Sequence, residues 1–198
     1  MQSLELSGIA MDNDGNPVIL KLSRTVPDQE KRELYHVGKT NLPTPPPSRL
    51  PTDGTVALRL EITETLSRNT RNTVYGVRVL NADTELELYV PPLVIKVAAW
   101  FQGKNLCEEA GMYRVLESLQ GIVIPRCFGY FRLAVDHTQM AILPWDGTAC
   151  VYPRGPHTFD LHRPPHPAAP LKIMLLERLG EHVPTGSGIL NETLRWVQ

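Results

Sequence analysis

The chain has 198 residues, of which 42% are hydrophobic, so it is long enough and apolar enough to form one domain with a buried core. Its 20 basic and 21 acidic residues give a formal net charge of -1, which provides no electrostatic basis for binding nucleic acid or an anionic membrane. Residues 1–12 contain no cationic and apolar signal sequence, and no apolar stretch is long enough to span a bilayer. The sequence therefore predicts an intracellular protein that binds neither nucleic acid nor a membrane.

The three cysteines are odd in number and widely spaced, at Cys107, Cys127 and Cys150. This pattern argues against a disulfide framework and favours a reducing compartment. No activating sequence surrounds any of them, so we expect neutral side chains rather than nucleophiles.

Residues 1–50 are predicted to form an N-terminal extension that ends in a proline-rich linker. The clearest strand pattern in this extension is Pro17–Leu22. Five of the chain's 18 prolines then fall between residues 43 and 51. Because proline lacks an amide donor and fixes its own φ angle, this segment cannot be a helix or a central strand, and we expect an extended spacer.

Residues 51–182 carry the pattern of a mixed α and β domain. Two β-rich runs, residues 56–62 and 73–80, flank a polar turn at residues 67–72 and predict an antiparallel hairpin. A third strand is predicted at the end of residues 86–98.

One convincing helix follows, because apolar residues recur at three- and four-residue spacing up to a glycine stop at Gly121. Further strands are predicted at residues 127–133 and 171–176, separated by a proline- and histidine-rich loop insertion at residues 136–170 that holds a short strand near residues 140–143. Residues 183–198 begin another helix.

Three strands, one helix and two more strands, in that order, resemble the small N-terminal lobe of a protein kinase. Leu93-Val94-Ile95-Lys96 is similar to the Val-Ala-Ile-Lys end of that lobe's third strand. Residues 119–131 resemble its helix exit, and residues 174–180, Met-Leu-Leu-Glu-Arg-Leu-Gly, resemble the strand that leads into its hinge. The fold class that this resemblance implies is α+β: a twisted antiparallel sheet of about five strands with one main helix packed on it.

The resemblance also implies a nucleotide site. Lys96 would hold the phosphates and pair with Glu109 on the helix. The backbones of Glu177 and Leu179 would face an adenine, with Leu176 beside them as the gatekeeper residue.

Ser67, Asn69 and Asn72 stand where the family has the three glycines of its nucleotide loop. Glycine lets the backbone approach phosphate closely, whereas these side chains would crowd the phosphate path. We therefore expect ATP to bind weakly or not at all, and no cofactor is assigned.

The chain contains neither the His-Arg-Asp sequence of a catalytic loop nor the Asp-Phe-Gly sequence of a metal site. No catalytic residue is assigned, because both positioning and charge neutralisation of the phosphoryl group depend on those sequences. Three hypotheses stay open: an inactive kinase-like interaction module, a truncated fragment of an active protein kinase, and an unrelated α+β interaction module. If the chain is kinase-like, a protein partner or the missing large lobe would cover an apolar hinge face near Leu176, Leu179 and Val183.

No metal site is predicted. His157, His162 and His166 lie among prolines that prevent a common helical face, and no cysteine is near them. The run Asp12-Asn13-Asp14-Gly15-Asn16 lacks the carboxylates that a calcium loop requires at its ends and indicates a turn instead.

Overall fold

A computed structural model describes residues 1–27, 57–69, 71–80, 90–145 and 169–180. This part of the chain contains nine strands, one α-helix and two short 3-10 helices. The strands are β1 (Ser3–Ser7), β2 (Ala10–Asp12), β3 (Leu20–Arg24), β4 (Ala57–Arg68), β5 (Asn72–Val79), β6 (Leu93–Ala98), β7 (Cys127–Leu133), β8 (Met140–Ile142) and β9 (Leu171–Glu177). The helix is α1 (Gly103–Val115), and the 3-10 helices are Glu117–Leu119 and Leu143–Trp145.

Seven of these strands form a closed barrel, in the spatial order β1-β3-β7-β9-β6-β5-β4. Strand β1 pairs in parallel with β4 and closes the ring, and every other neighbouring pair is antiparallel. Strands β2 and β8 form a separate two-stranded sheet.

The barrel interior is filled by apolar side chains that alternate along the strands. On β6, Leu93, Ile95 and Val97 are at most 2% exposed and belong to the main core. Strands β1 and β3 add four leucines, and Phe131 of β7 is fully buried among them. This two-residue period is the pattern expected of a small barrel whose interior is filled by side chains.

Helix α1 packs on the outside of the barrel, against β9 and β7. A second, smaller core, which we call the outer core, joins Leu106 and Ala110 of the helix to outward-facing residues of the barrel wall. Among these residues are Val94, Tyr130 and Met174. The barrel wall from β6 to β7 is therefore apolar on both faces. No helix within the described residues is both long and apolar enough to cross a membrane.

The predicted fold class, a kinase-like small lobe with an open α+β sheet of about five strands, is wrong: the sheet is a closed seven-stranded barrel. The strands predicted at residues 56–62, 73–80, 127–133 and 171–176 are found close to their expected places, as β4, β5, β7 and β9. The error lies in residues 1–24, which the sequence assigns to an extension. Their leucines are at most 1% exposed at Leu4, Leu6, Leu20 and Leu22, because β1 and β3 bridge the gap between β4 and β7.

The two ends of the loop insertion predicted at residues 136–170 are held together. His137 lies 2.9 Å from the carbonyl oxygen of Ala169, and its ring packs on Trp145. The indole of Trp145 donates a hydrogen bond of 2.9 Å to the carbonyl of Ala98, at the end of β6. The insertion therefore leaves and rejoins the barrel at one place. Residues 146–168, with the three predicted loop histidines, and the predicted C-terminal helix lie outside the described residues.

Candidate functional site

Lys96 lies on the outer face of β6 because its neighbours Ile95 and Val97 point into the barrel. It stands opposite Val74 of β5 and Met174 of β9. Its side chain is 19% exposed, so the ammonium group is largely removed from water. A charge in such a place requires a partner.

The partner is Glu109 on α1, as the sequence predicts. Lys96 Nζ is 2.8 Å from Glu109 Oε1 and 2.8 Å from Oε2, so the ammonium donates to both carboxylate oxygens. Glu109 is 35% exposed and sits beside buried Ala110 on the helix face that packs on the barrel. Charge-assisted bonds of this length fix the helix on the sheet and neutralise the lysine.

Two further ionisable groups lie beside Glu109. Burial, with the nearby charges of Glu109 and Cys127, raises the pKa of the Tyr113 phenol to about 12. Burial is also the main cause that raises the pKa of the Cys127 thiol to about 11, and Glu109 adds to it. Both groups are therefore neutral at neutral pH, and Cys127 does not provide a thiolate nucleophile there.

The hairpin turn between β4 and β5 holds the predicted glycine-replacing residues. Asn69 Oδ1 accepts hydrogen bonds from the backbone amides of Arg71 at 2.8 Å and Asn72 at 3.0 Å. The Asn69 amide in turn donates to the Asn72 carbonyl at 3.0 Å. The two amides are therefore already bonded to an asparagine oxygen within the turn. Ser67 lies on β4 just before the turn, opposite Val74.

Glu177 and Leu179 are not gathered around Lys96. Glu177 ends β9 opposite Leu93, whereas Lys96 is opposite Met174, so the two positions are roughly 10 Å apart along the sheet. The Glu177 amide, expected to face an adenine, donates instead to the Arg126 carbonyl at 2.9 Å. Leu179 is 48% exposed.

The hinge face predicted at Leu176, Leu179 and Val183 is exposed at Leu179 but not at Leu176. Leu176, expected to face water in the absence of a large lobe, is 7% exposed and packs in the outer core with Val94 and Leu106. Val183 lies outside the described residues.

Arg126 is the residue that sequence reasoning missed. Its Nη1 is 3.0 Å from Glu177 Oε1, its backbone amide donates to Glu177 Oε2 at 3.2 Å, and the two side chains are only 14% and 18% exposed. The available signal was Glu177 itself, because a carboxylate that ends a buried strand needs a cationic partner. The cation that pairs with Glu177 lies 51 residues away in the sequence, so a local pattern does not show that it is Arg126.

No protein-family model, no curated protein and no solved structure matches this chain. Within the parts of the chain that the structure describes, no group of three or more His, Cys, Asp or Glu side chains is arranged to hold a metal ion. The interpretation of the site therefore depends on its own geometry.

The raised pKa of Cys127 predicts a loss of stability in mild base. The folded chain holds this thiol proton up to about pH 11, whereas the unfolded chain releases it near its ordinary value of 9.0. Deprotonation therefore favours unfolding, and stability falls as pH rises from about 9 to about 11. We expect the free energy of unfolding of Cys127→Ala to lack this pH-dependent fall, which is on the order of 1–2 kcal/mol in the wild type. Urea titrations at pH 8, 9.5 and 11 measure it.

Tyr113→Phe serves as the companion variant. Tyr113 lowers stability over a pH range that begins one unit higher, because its pKa rises from 10.0 to about 12 on folding. A Cys127→Ala profile parallel to that of the wild type between pH 9 and 11 would contradict the assignment.

Proposed function

We propose that this protein is a binding module without phosphotransferase activity, and that it takes Mg-ATP weakly or not at all. The observation that carries this proposal is the Asn69 side chain, whose oxygen accepts the amides of both Arg71 and Asn72. A phosphate group would have to displace that oxygen from both amides before it could accept them, so its gain is only the difference between the two sets of bonds.

The other candidate contacts to a nucleotide are also engaged within the chain. Lys96 donates to both oxygens of Glu109, and the Glu177 amide donates to Arg126. A ligand gains affinity from a donor only by the difference between the new bond and the one it replaces. Three sets of donors that already have good partners therefore support weak binding.

The Lys96–Glu109 pair also favours a second candidate function, a nucleotide-binding module or a fragment of an ATP-dependent phosphotransferase. Both oxygens of Glu109 lie 2.8 Å from the ammonium, which is the pairing that the kinase resemblance implies for a phosphate-holding lysine. The resemblance of residues 93–96 and 174–180 to protein kinases stays a hypothesis.

Thermal unfolding with and without Mg-ATP separates the two candidates. A ligand that binds only the folded state stabilises it by RT ln(1 + [L]/Kd), so 5 mM Mg-ATP with a Kd above ~10 mM adds less than about 0.3 kcal/mol. We therefore expect the wild-type melting temperature to rise by less than about 1 °C. We also expect no transfer of labelled phosphate to a generic protein substrate.

Asn69→Gly is the informative variant, because it frees the amides of Arg71 and Asn72, and we expect it to gain an Mg-ATP-dependent rise in melting temperature. MgCl2 alone is the control for each chain. A clear rise in the wild type that Lys96→Ala abolishes would overturn the proposal in favour of a competent nucleotide site. Phosphate transfer abolished by Lys96→Met would overturn it in favour of a phosphotransferase.

An intracellular location is part of the same proposal. Cys127 is a free thiol, which fits the reducing compartment that the cysteine spacing predicts.

A further inference from the structure

One ion pair crosses the outer face of the barrel instead of joining neighbouring strands. Arg178, the first residue after β9, donates from Nη1 to Oε1 of Glu64 on β4 at 2.7 Å. Strands β5 and β6 lie between β4 and β9, so the two residues stand three strand spacings apart, roughly 14 Å along the sheet. Their side chains therefore meet above β5 and β6. We call this ion pair the strap.

The strap lies on a floor whose first position has no side chain. Glu64 is opposite Gly76 of β5, and a Cβ atom on Gly76 would lie 2.8 Å from Glu64 Cγ and 2.9 Å from Glu64 Oε1. The glutamate side chain is therefore folded down onto the glycine backbone. Gly76 is opposite Val94 of β6, and Val94 is opposite Leu176 of β9. We call Gly76, Val94 and Leu176 the floor strip.

The floor strip is apolar, whereas the layer above it is charged. Val94 and Leu176 are buried in the outer core, while the side chains of Glu64 and Arg178 are 49% and 38% exposed. An ion pair this exposed adds little stability, because water solvates both charges when they separate. The strap can therefore open at low cost, and opening it uncovers the β5 end of the floor strip.

We propose that the strap is an autoinhibitory cover over a binding strip for a flat, uncharged aromatic ring. The carboxylate and guanidinium groups of the strap are planar, and together they form a layer about 3.5 Å thick, which is also the thickness of an aromatic ring. A ring in their place stacks on the backbone of Gly76, where no side chain stands in its way, and contacts Val94. This inference rests on the proposed function, a binding module, and names the class of its ligand and the group that controls access.

The floor strip borders the candidate site. Val94 precedes Lys96 by two residues on the same face of β6, a distance of about 7 Å along the strand. A bound ring therefore lies next to the Lys96–Glu109 pair without replacing either of its bonds. Because only molecules with an open strap bind the ring, the closed strap lowers the apparent affinity in proportion to its population.

A fluorescence titration of the full chain with N-phenyl-1-naphthylamine, a neutral aromatic dye, tests the proposal. We expect Glu64→Ala and Arg178→Ala each to lower the Kd of the dye at least about threefold, because the dye no longer has to break an exposed ion pair. The two substitutions change the net charge in opposite directions, so a gain common to both does not come from charge.

Glu61→Ala is the matched control on the same strand. Glu61 pairs with Arg78, which stands directly opposite it on the adjacent strand β5, so this ion pair crosses no intervening strand. The substitution makes the same charge change as Glu64→Ala but leaves the strap in place. We expect the Kd of the dye to stay at the wild-type value.

A double variant, Glu64→Ala with Gly76→Val, places the binding on the floor strip. The atoms closest to a Cβ on Gly76 all belong to the Glu64 side chain, so the valine fits once that side chain is removed, and it then fills the floor. We expect the double variant to return to the wild-type Kd. A melting temperature within about 4 °C of the wild type shows that the barrel of each variant is intact.

A gain missing from either Glu64→Ala or Arg178→Ala, an equal gain in Glu61→Ala, or a gain that Gly76→Val leaves in place would overturn the proposal. The dye carries no phosphate, and none of the substituted residues belongs to the Asn69 turn or to the Lys96–Glu109 pair. A failure of the strap therefore leaves the Mg-ATP result standing, and a rise in melting temperature with Mg-ATP would leave the dye result standing.

Discussion

Deletion of residues 1–24 is expected to abolish cooperative unfolding of this protein. These residues supply β1 and β3, which pair with β4 and β7 and complete the ring. Without them the interior is opened along two strands, and apolar side chains of β4 and β7 lose their cover. The deleted leucines alone, four side chains at most 1% exposed, are each worth about 1.5–3 kcal/mol of burial, which is comparable in sum with the whole stability of a small domain.

Single substitutions give the same test without removing a segment. Leu6→Ala and Leu22→Ala should each lower the free energy of unfolding by about 2–5 kcal/mol in urea titrations, because both side chains are fully buried. Ile19→Ala is the matched control in the same part of the chain. Ile19 is 60% exposed, so its loss should cost less than about 0.5 kcal/mol.

The truncation decides between two architectures. An open five-stranded sheet does not need residues 1–24, whereas a closed barrel does. A truncated chain that unfolds cooperatively near the wild-type melting temperature would show that β1 and β3 are accessory.

The second large effect is expected at Gly121. Its φ angle is +75°, which an L-residue adopts at a cost of roughly 1–2 kcal/mol. A Cβ atom there would also lie 2.7 Å from the Arg126 guanidinium carbon. Gly121→Ala would therefore push the guanidinium away from Glu177 and weaken a pair that is less than one-fifth exposed on each side. We expect a total loss of about 2–4 kcal/mol in the free energy of unfolding.

Gly15 provides the matched control for Gly121. Its φ angle is +81°, but a Cβ atom there would meet nothing within 4 Å. Gly15→Ala should therefore show the backbone cost alone, and the difference between the two variants isolates the displacement of Arg126. Glu177→Gln should remove much of that difference in a double-mutant cycle, because the pair is then already weakened. Equal costs at the two glycines would show that Arg126 moves aside freely.

The resemblance to protein kinases, together with local patterns, predicted the ion pair at the centre of the candidate site. Alternation along β6 places Ile95 inside the barrel and Lys96 on its outer face. The helical period of α1 places Glu109 on the face that covers the sheet. The resemblance to protein kinases selected Glu109 as the partner, and the need of a half-buried ammonium for a carboxylate supported that choice.

Closure of the barrel could not be predicted in this way. Ser-Leu-Glu-Leu-Ser at β1 is a short alternation that many loops contain, and its partner in the ring is a parallel strand that begins at Ala57. The hydrogen bonds between Arg126 and Glu177, which are 51 residues apart, depend on the three-dimensional path between them in the same way. Whether a sheet is open or closed is a property of long-range pairing and not of any segment's composition.

The closed ring also has a consequence for how the chain is made. Strand β3 can pair with β1 as soon as both are made, but Ser23 of β3 also pairs with Arg132 of β7, so the ribosome must add more than a hundred residues before β3 can meet this second neighbour. At ~5–20 residues per second, that interval is roughly 5–20 s. During that interval the leucines of β1 and β3 have emerged but lack the rest of the barrel, and strands with an open edge and uncovered apolar side chains are the segments on which nascent chains aggregate and chaperones act. The earliest-synthesised strands of this protein are thus among the last to be secured.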